Sequence, residues 1–478
     1  MVSFWEIDVW SFVVMLGVIF AAMLFANFLR RVIRPLRRSM IPAAVLGGFL
    51  CLFLGWAWKK ITGHGLFDEM TLEALTYHGL GLGVVAMTFR RTAPHKDKKG
   101  SRDVFNSGVL TVSTYLLQAI LGLGITLGLS YVIHNWAAAG ILLPMGFGQG
   151  PGNAYGWGLT YQTATDYPAF TDGASFGLTV AAMGFIAASV GGVIYLQMIR
   201  KKSKRVAADV DSAEMEELSL EVFTDKGEIP ITDSLDKLTI QFGLVFLAYL
   251  LAYIFNRLVS IPLDKAGGFL QGTVKPLLWN FNFLVGMLFT AVIKGLLNLG
   301  KKTGVIHREY INNFMMNRIS GFLFDVMVVA SIAAIDLKAL TKREFIFPLL
   351  TICIVGGVAT FFFVRFVCRK LFSEYADEEF LIFYGMLTGT NCTGFILLRE
   401  IDPYYKTPAA KNLIFQNLWA VIFGAPMLLL MGVAANSLRM TWITWGILVG
   451  FFLVMIFILF RSVIFRRKKA PAEAVTEE

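Results

Sequence analysis

Apolar segments about as long as a bilayer is thick recur along the whole chain. They fall near 8–29, 39–58, 70–89, 108–133, 174–199, 237–263, 276–298, 310–335, 344–368, 412–436 and 441–465. A helix needs roughly 20 residues to cross about 30 Å of hydrocarbon. In lipid every N–H and C=O must find its partner inside the protein, and a helix supplies that within one segment. The expected fold is therefore an all-α polytopic membrane protein with eleven spans. With 56% hydrophobic and 16% charged residues, a soluble domain is excluded.

The net charge of +10 is no sign of nucleic acid, because the basic residues gather at span ends. The runs Arg30-Arg31 to Arg37-Arg38, Arg90-Arg91 to Lys98-Lys99, Arg200 to Arg205, Lys301-Lys302, Arg369-Lys370 and Arg466 to Lys469 are expected on the cytoplasmic side. Between His134 and Asp172 there is no Lys or Arg, which places that stretch outside. The N-terminus is then external and the C-terminus cytoplasmic. The first apolar run is too long for the core of a signal peptide, so no cleaved leader is expected.

Two apolar segments are broken. Met145–Gly158 has six glycines in fourteen residues, a proline and no charge. Glycine costs a helix roughly 1 kcal/mol and proline about 3. The second, Gly385–Gly394, sets Thr388, Thr390, Asn391 and Thr393 among three glycines. Non-helical backbone at membrane depth is tolerated only where protein or a watery cavity surrounds it. The charge count leaves neither segment able to cross. Each must enter and return, the first from outside and the second from inside, as a re-entrant hairpin.

That count also divides the chain into two inverted-topology repeats of five transmembrane helices, each with one re-entrant hairpin. Residues 1–206 form the first and 237–436 the second. An acidic cytoplasmic linker, 207–236, joins them, and 437–478 add an extra helix and a tail. Scaffold helices are expected near 8–58 and 237–298. Transport-domain helices with the hairpins are expected near 70–199 and 310–436. Inverted repeats with broken helices meeting at the midplane mark secondary transporters.

The candidate site follows. Backbone N–H groups and side chains of Gly148, Gln149, Gly150, Gly152, Asn153, Thr390, Asn391 and Thr393 suit a substrate carboxylate. Oxygens near Thr388 and Gly389 suit Na⁺, a hard cation that takes oxygen ligands. The span near 310–335 adds Asn317, Arg318 and Asp325. An ionisable residue in lipid is a functional candidate by default. Arg318 could clamp a carboxylate, while Asn317 and Asp325 could hold an ion. Gly79 and Gly83 read as a helix-packing face, with His78 a hydrogen-bonded neighbour. Cys51, Cys353, Cys368 and Cys392 lack metal-ligand spacing and read as reduced packing residues. No enzyme motif is present, so neither catalysis nor a cofactor beyond the coupling sodium is expected.

On Gly148-Gln-Gly-Pro-Gly-Asn-Ala-Tyr-Gly156 and Gly389-Thr-Asn-Cys-Thr-Gly394 the chain resembles the bacterial sodium/glutamate symporter family. Each motif lies in one half, where that family carries its re-entrant loops. Lys411–Met427 looks like the family's closing span. The chain differs in Gln149, where members often have His, in Pro151, where Thr is common, and in Asn391-Cys392-Thr393, often Thr-Pro-Thr. The final span and Asp325 have no counterpart carried over. The resemblance implies Na⁺-coupled uptake of glutamate or a related anion across the bacterial inner membrane, by a homodimer working as an elevator. The alternatives are a proton-coupled carboxylate carrier using Asp325 or His78, and a channel or non-transporting membrane protein.

Overall fold

The computed structural model describes residues 7–39, 41–90, 98–162, 170–202, 236–267, 270–280, 282–402 and 407–464. The acidic linker up to residue 235 and the basic run at Arg466–Lys469 lie outside the described residues. Among those described, the chain is helical and has no strand. Its principal helices are α1 Ile7–Val32, α2 Ala43–Thr62, α3 Glu69–Phe89, α4 Lys98–Ile133, α5 Pro151–Gln162, α6 Gly173–Lys202, α7 Lys237–Ala266, α8 Asn282–Lys302, α9 Asn313–Ala333, α10 Arg343–Leu371, α11 Ala376–Thr388, α12 Asn391–Arg399, α13 Ala409–Phe415, α14 Asn417–Ala434 and α15 Leu438–Ile464. Short 3₁₀ and π turns, Ala137–Leu142 and Met145–Gln149, fill the approach to α5.

Nine of the described helices are long and apolar enough to span a membrane, and α13 with α14 adds a tenth if this pair, bent by 50°, is one broken span rather than a re-entrant loop. The remaining expected span, α3, has the length but not the apolarity. Its polar side chains are answered within the protein. The Tyr77 hydroxyl bonds to the Trp279 carbonyl, and His78 Nδ1 lies 2.9 Å from Tyr249 Oη. Asn282 Nδ2 donates to the same Tyr249 oxygen at 2.7 Å. A helix lined by partners rather than lipid need not be apolar all round.

Side chains fall into three buried cores. One joins α4, α6, α10, α11, α13, α14 and α15 with the turns before α5. A second joins α1, α2, α3 and α9 with one face of α6. A third joins α3, α7, α8 and α9. The most extensive helix pair is α3 on α9, and both also pack on the α1, α2, α7 and α8 group. The sequence reading grouped 70–89 and 310–335 with the broken segments; α3 and α9 pack first on each other and next on the expected scaffold helices. Small residues set this closeness. A Cβ on Gly79 would come within 2.9 Å of Met327, and one on Gly83 within 2.6 Å of Phe324. Helices in lipid gain little from apolar contact alone, so close backbone approach is what holds them.

Contacts also sort the helix ends into two levels. At one, Asp172 Oδ2 lies 2.6 Å from Lys342 Nζ, and Trp442 Nε1 donates to Tyr131 Oη at 3.1 Å. Asp172 holds the Lys342 ammonium above its usual pKa by accepting its hydrogen bond. Trp136 and Tyr161, which flank the first broken segment, touch here with ring centroids 4.8 Å apart. At the other level, Arg461 Nη1 meets Asn106 Oδ1 at 3.3 Å and Tyr375 Oη meets Asp103 Oδ2 at 2.8 Å.

The tightest seam joins α4 to the first broken segment. A Cβ on Gly122 or on Gly140 would overlap the carbonyl of the other. The expected outcome of Gly140→Val is a cost of about 3 kcal/mol, the upper end for overpacking. It is read as a lower melting temperature in detergent. Gly128→Val on the same helix, where a Cβ meets nothing within 4 Å, serves as the control.

Candidate functional site

The break in the first segment sits at Gly150, with φ of 87°. That left-handed backbone favours glycine, since a Cβ there crowds the following carbonyl. Pro151 then opens α5, where its fixed φ and missing N–H cost nothing. The second segment breaks at Gly389, between the end of α11 at Thr388 and the start of α12 at Asn391. Thr390 is the N-cap of α12 in an extended conformation, and its side chain makes no cap bond.

The two breaks meet. A Cβ on Gly150 would stand 3.7 Å from Thr390 Cγ2, which is van der Waals contact. Two helix N-termini from opposite halves of the chain are therefore neighbours. The first-turn N–H groups of a helix lie outside its own ladder, and each N-terminus carries about half a positive charge. Two such ends side by side favour an anion near them.

Side chains around the junction are polar and buried. Asn153 is 6% exposed, and its Nδ2 reaches Gln149 Oε1 at 3.2 Å and the Gln149 carbonyl at 3.4 Å. Its Oδ1 is buried and has no hydrogen-bond partner. Thr388 and Thr393 are fully buried. Thr388 Oγ1 donates to the Tyr384 carbonyl at 2.6 Å, while Thr393 Oγ1 lies 3.3 Å from Thr390 Oγ1. Gly148 is pressed on the ring of Tyr115, whose hydroxyl donates to the Gly148 carbonyl at 3.1 Å. Gly184 of α6 lies against the Thr388 carbonyl. The structure thus brings Gly148, Gln149, Gly150 and Asn153 together with Thr388, Gly389, Thr390 and Thr393. Gly152 packs on Leu80 of α3 instead. Asn391 is half-buried at the start of α12.

Asn317, Arg318 and Asp325 lie elsewhere. All three side chains are exposed on α9. The Arg318 guanidinium stacks over the Phe314 ring at 5.0 Å. None of the three makes a hydrogen bond or ion pair with a residue of either break. They share a helix with buried Met327, but their own face points away from it.

Two residues that the sequence reading passed over serve this junction. Tyr115 and Gln118 stand three apart on α4, so they share a face. Gln118 Nε2 donates to the Leu387 carbonyl and to Thr360 Oγ1 of α10, both at 2.9 Å. Its Oε1 is buried and unpaired. Their signal in the sequence was polarity inside an otherwise apolar span. Cys51, Cys353 and Cys368 are free and buried.

No protein-family model, curated protein or solved structure matches the chain.

Gly150→Ala is expected to destabilise the protein by about 1–2 kcal/mol through its left-handed backbone. Gly128→Ala, in a helix with open space, is expected to stabilise it by up to about 1 kcal/mol. Opposite shifts in melting temperature check the pair.

Proposed function

We propose that the chain is a secondary active transporter that couples sodium to the uptake of glutamate or a related anionic substrate. The observation that carries this is the contact between Gly150 and Thr390, which sets two helix N-termini beside one another among buried amides and hydroxyls. The anion's carboxylate takes the exposed N–H groups and the amide of Asn153. Sodium takes oxygens: the unpaired Asn153 Oδ1, the Gln118 Oε1 and the carbonyls around Thr388 and Gly389. Sodium is cargo and driving ion here, not a resident cofactor, and no catalytic step is involved.

Two re-entrant hairpins from opposite faces fit the end-to-end contacts. Trp136 beside Tyr161 brings the first segment back to the level it left. A Cβ on Gly385 would reach Gly394 Cα at 2.7 Å, so α11 and α12 run back along one another. Inverted repeats fit the packing as well. The α1 and α2 pair is matched by α7 and α8, α2 on α9 by α8 on α3, and the equivalent helices α3 with α9 and α4 with α10 pack directly. Helices α1, α2, α3, α7, α8 and α9 then form the scaffold, and two copies meet through it as a homodimer. The remaining helices carry the site and move against it in the manner of an elevator. The resemblance to sodium/glutamate symporters supplies the ion, the substrate and the bacterial inner membrane. Loaded and empty forms must differ in free energy for coupling to work.

The test is uptake of labelled glutamate into proteoliposomes with and without an inward Na⁺ gradient. Uptake is expected only with the gradient. Asn153→Leu is expected to cut it about tenfold or more at unchanged melting temperature, since one lost buried hydrogen bond is worth roughly 1–3 kcal/mol. Uptake indifferent to Na⁺ would sink the sodium assignment, and a measurable ion conductance without uptake would replace the carrier by a channel.

A further inference from the structure

At the foot of the second broken segment, two carboxylates are buried in one hydrogen-bonded group. Glu379, in the first turn of α11, is fully buried, and Asp103 of α4 is 5% exposed. Ser107 Oγ lies 2.8 Å from Glu379 Oε1 and 2.8 Å from the Asp103 carbonyl. Asn412 of α13 places its Nδ2 3.0 Å from Tyr375 Oη and 3.2 Å from Glu379 Oε2. Tyr375 Oη donates to Asp103 Oδ2 at 2.8 Å. No lysine or arginine among the described residues pairs with either carboxylate.

The protons in this group can be counted. The Asn412 amide serves Tyr375 and Glu379, and the Tyr375 hydroxyl serves Asp103. Ser107 has one hydroxyl proton for two acceptors. One contact is left without a proton unless a carboxyl carries it. Burying two ionised carboxylates among neutral donors would also set like charges together away from water, which is costly. The surroundings do not relieve this. Asp377 on α11 accepts from the Tyr195 hydroxyl of α6 at 2.7 Å, the Arg365 guanidinium of α10 lies 5.7 Å over that tyrosine's ring, and Cys368 of α10 is buried. Lys411 of α13 is exposed. Burial and the nearby Glu379 hold the Tyr375 phenol above its usual range, so it remains a donor.

We infer that Glu379 holds a proton, and that this proton clamps α11 to α4 and α13 as a pH-sensitive switch. Losing it leaves a bare negative charge buried in a group that already holds Asp103, and loosens the seat of α11. Because α11 ends at Thr388 and Gly389, its seat positions the second break. The stabilisation is present at low pH and is lost as pH rises through the titration of Glu379 in the folded chain.

The experiment is thermal unfolding of the full chain in nanodiscs at fixed Na⁺, from about pH 5 to about pH 9. It does not depend on the transport assignment. The wild type is expected to lose melting temperature as pH rises. Glu379→Gln, which keeps a donor to Ser107 without a titrating proton, is expected to flatten that slope. Asp103→Asn removes the repelling neighbour, so Glu379 is expected to release its proton more readily and the loss to move to lower pH. Should Glu379→Gln fail to fold, Asp103→Asn decides alone. A wild type without a slope, a slope that neither variant changes, or a melting temperature that tracks Na⁺ or K⁺ at fixed pH in place of pH would overturn the inference.

Discussion

The backbone's need for hydrogen bonds in a medium without water governs this protein. A continuous helix meets that need by itself, and most of the chain is continuous helix. At Gly150 and Gly389 the helix stops, and the freed groups must be answered by something else. Tyr115 answers the Gly148 carbonyl and Gln118 answers the Leu387 carbonyl. Two buried side-chain oxygens near the junction, Asn153 Oδ1 and Gln118 Oε1, stay unanswered. A ligand's oxygens and charges can complete what the fold leaves open there.

Close packing is the second condition. Glycine at 122, 140, 146, 158, 173, 177 and 184 lets the first broken segment lie directly on α4 and α6. Without those contacts the broken backbone would be exposed to lipid. The same residue type therefore does two things here. It breaks the helix at the junction, and it lets neighbouring helices close around the break.

The buried acidic group at the start of α11 is a cost that a purely structural role would not require, since apolar residues of similar size often serve as well. Its position matters more than its charge. It ties α11 to α4 and α13, three elements distant in sequence, at the end of the helix opposite the junction. Any change in that tie is carried along a rigid helix to Thr388.

Much of the architecture was legible from residue order. Apolar length gave nine long helices, and glycine gave the two breaks. Those features are local, so the sequence by itself determined them. It did not determine which polar residues in spans are partners. Asn317, Arg318 and Asp325 were as conspicuous as Asn153, yet their side chains face outward, while Tyr115 and Gln118 turn toward the breaks. Nor did it reveal that α3 and α9 pack chiefly on each other. Helix rotation and neighbour choice depend on which surfaces fit, and that is a property of pairs far apart in the chain. Only the tertiary structure decided them.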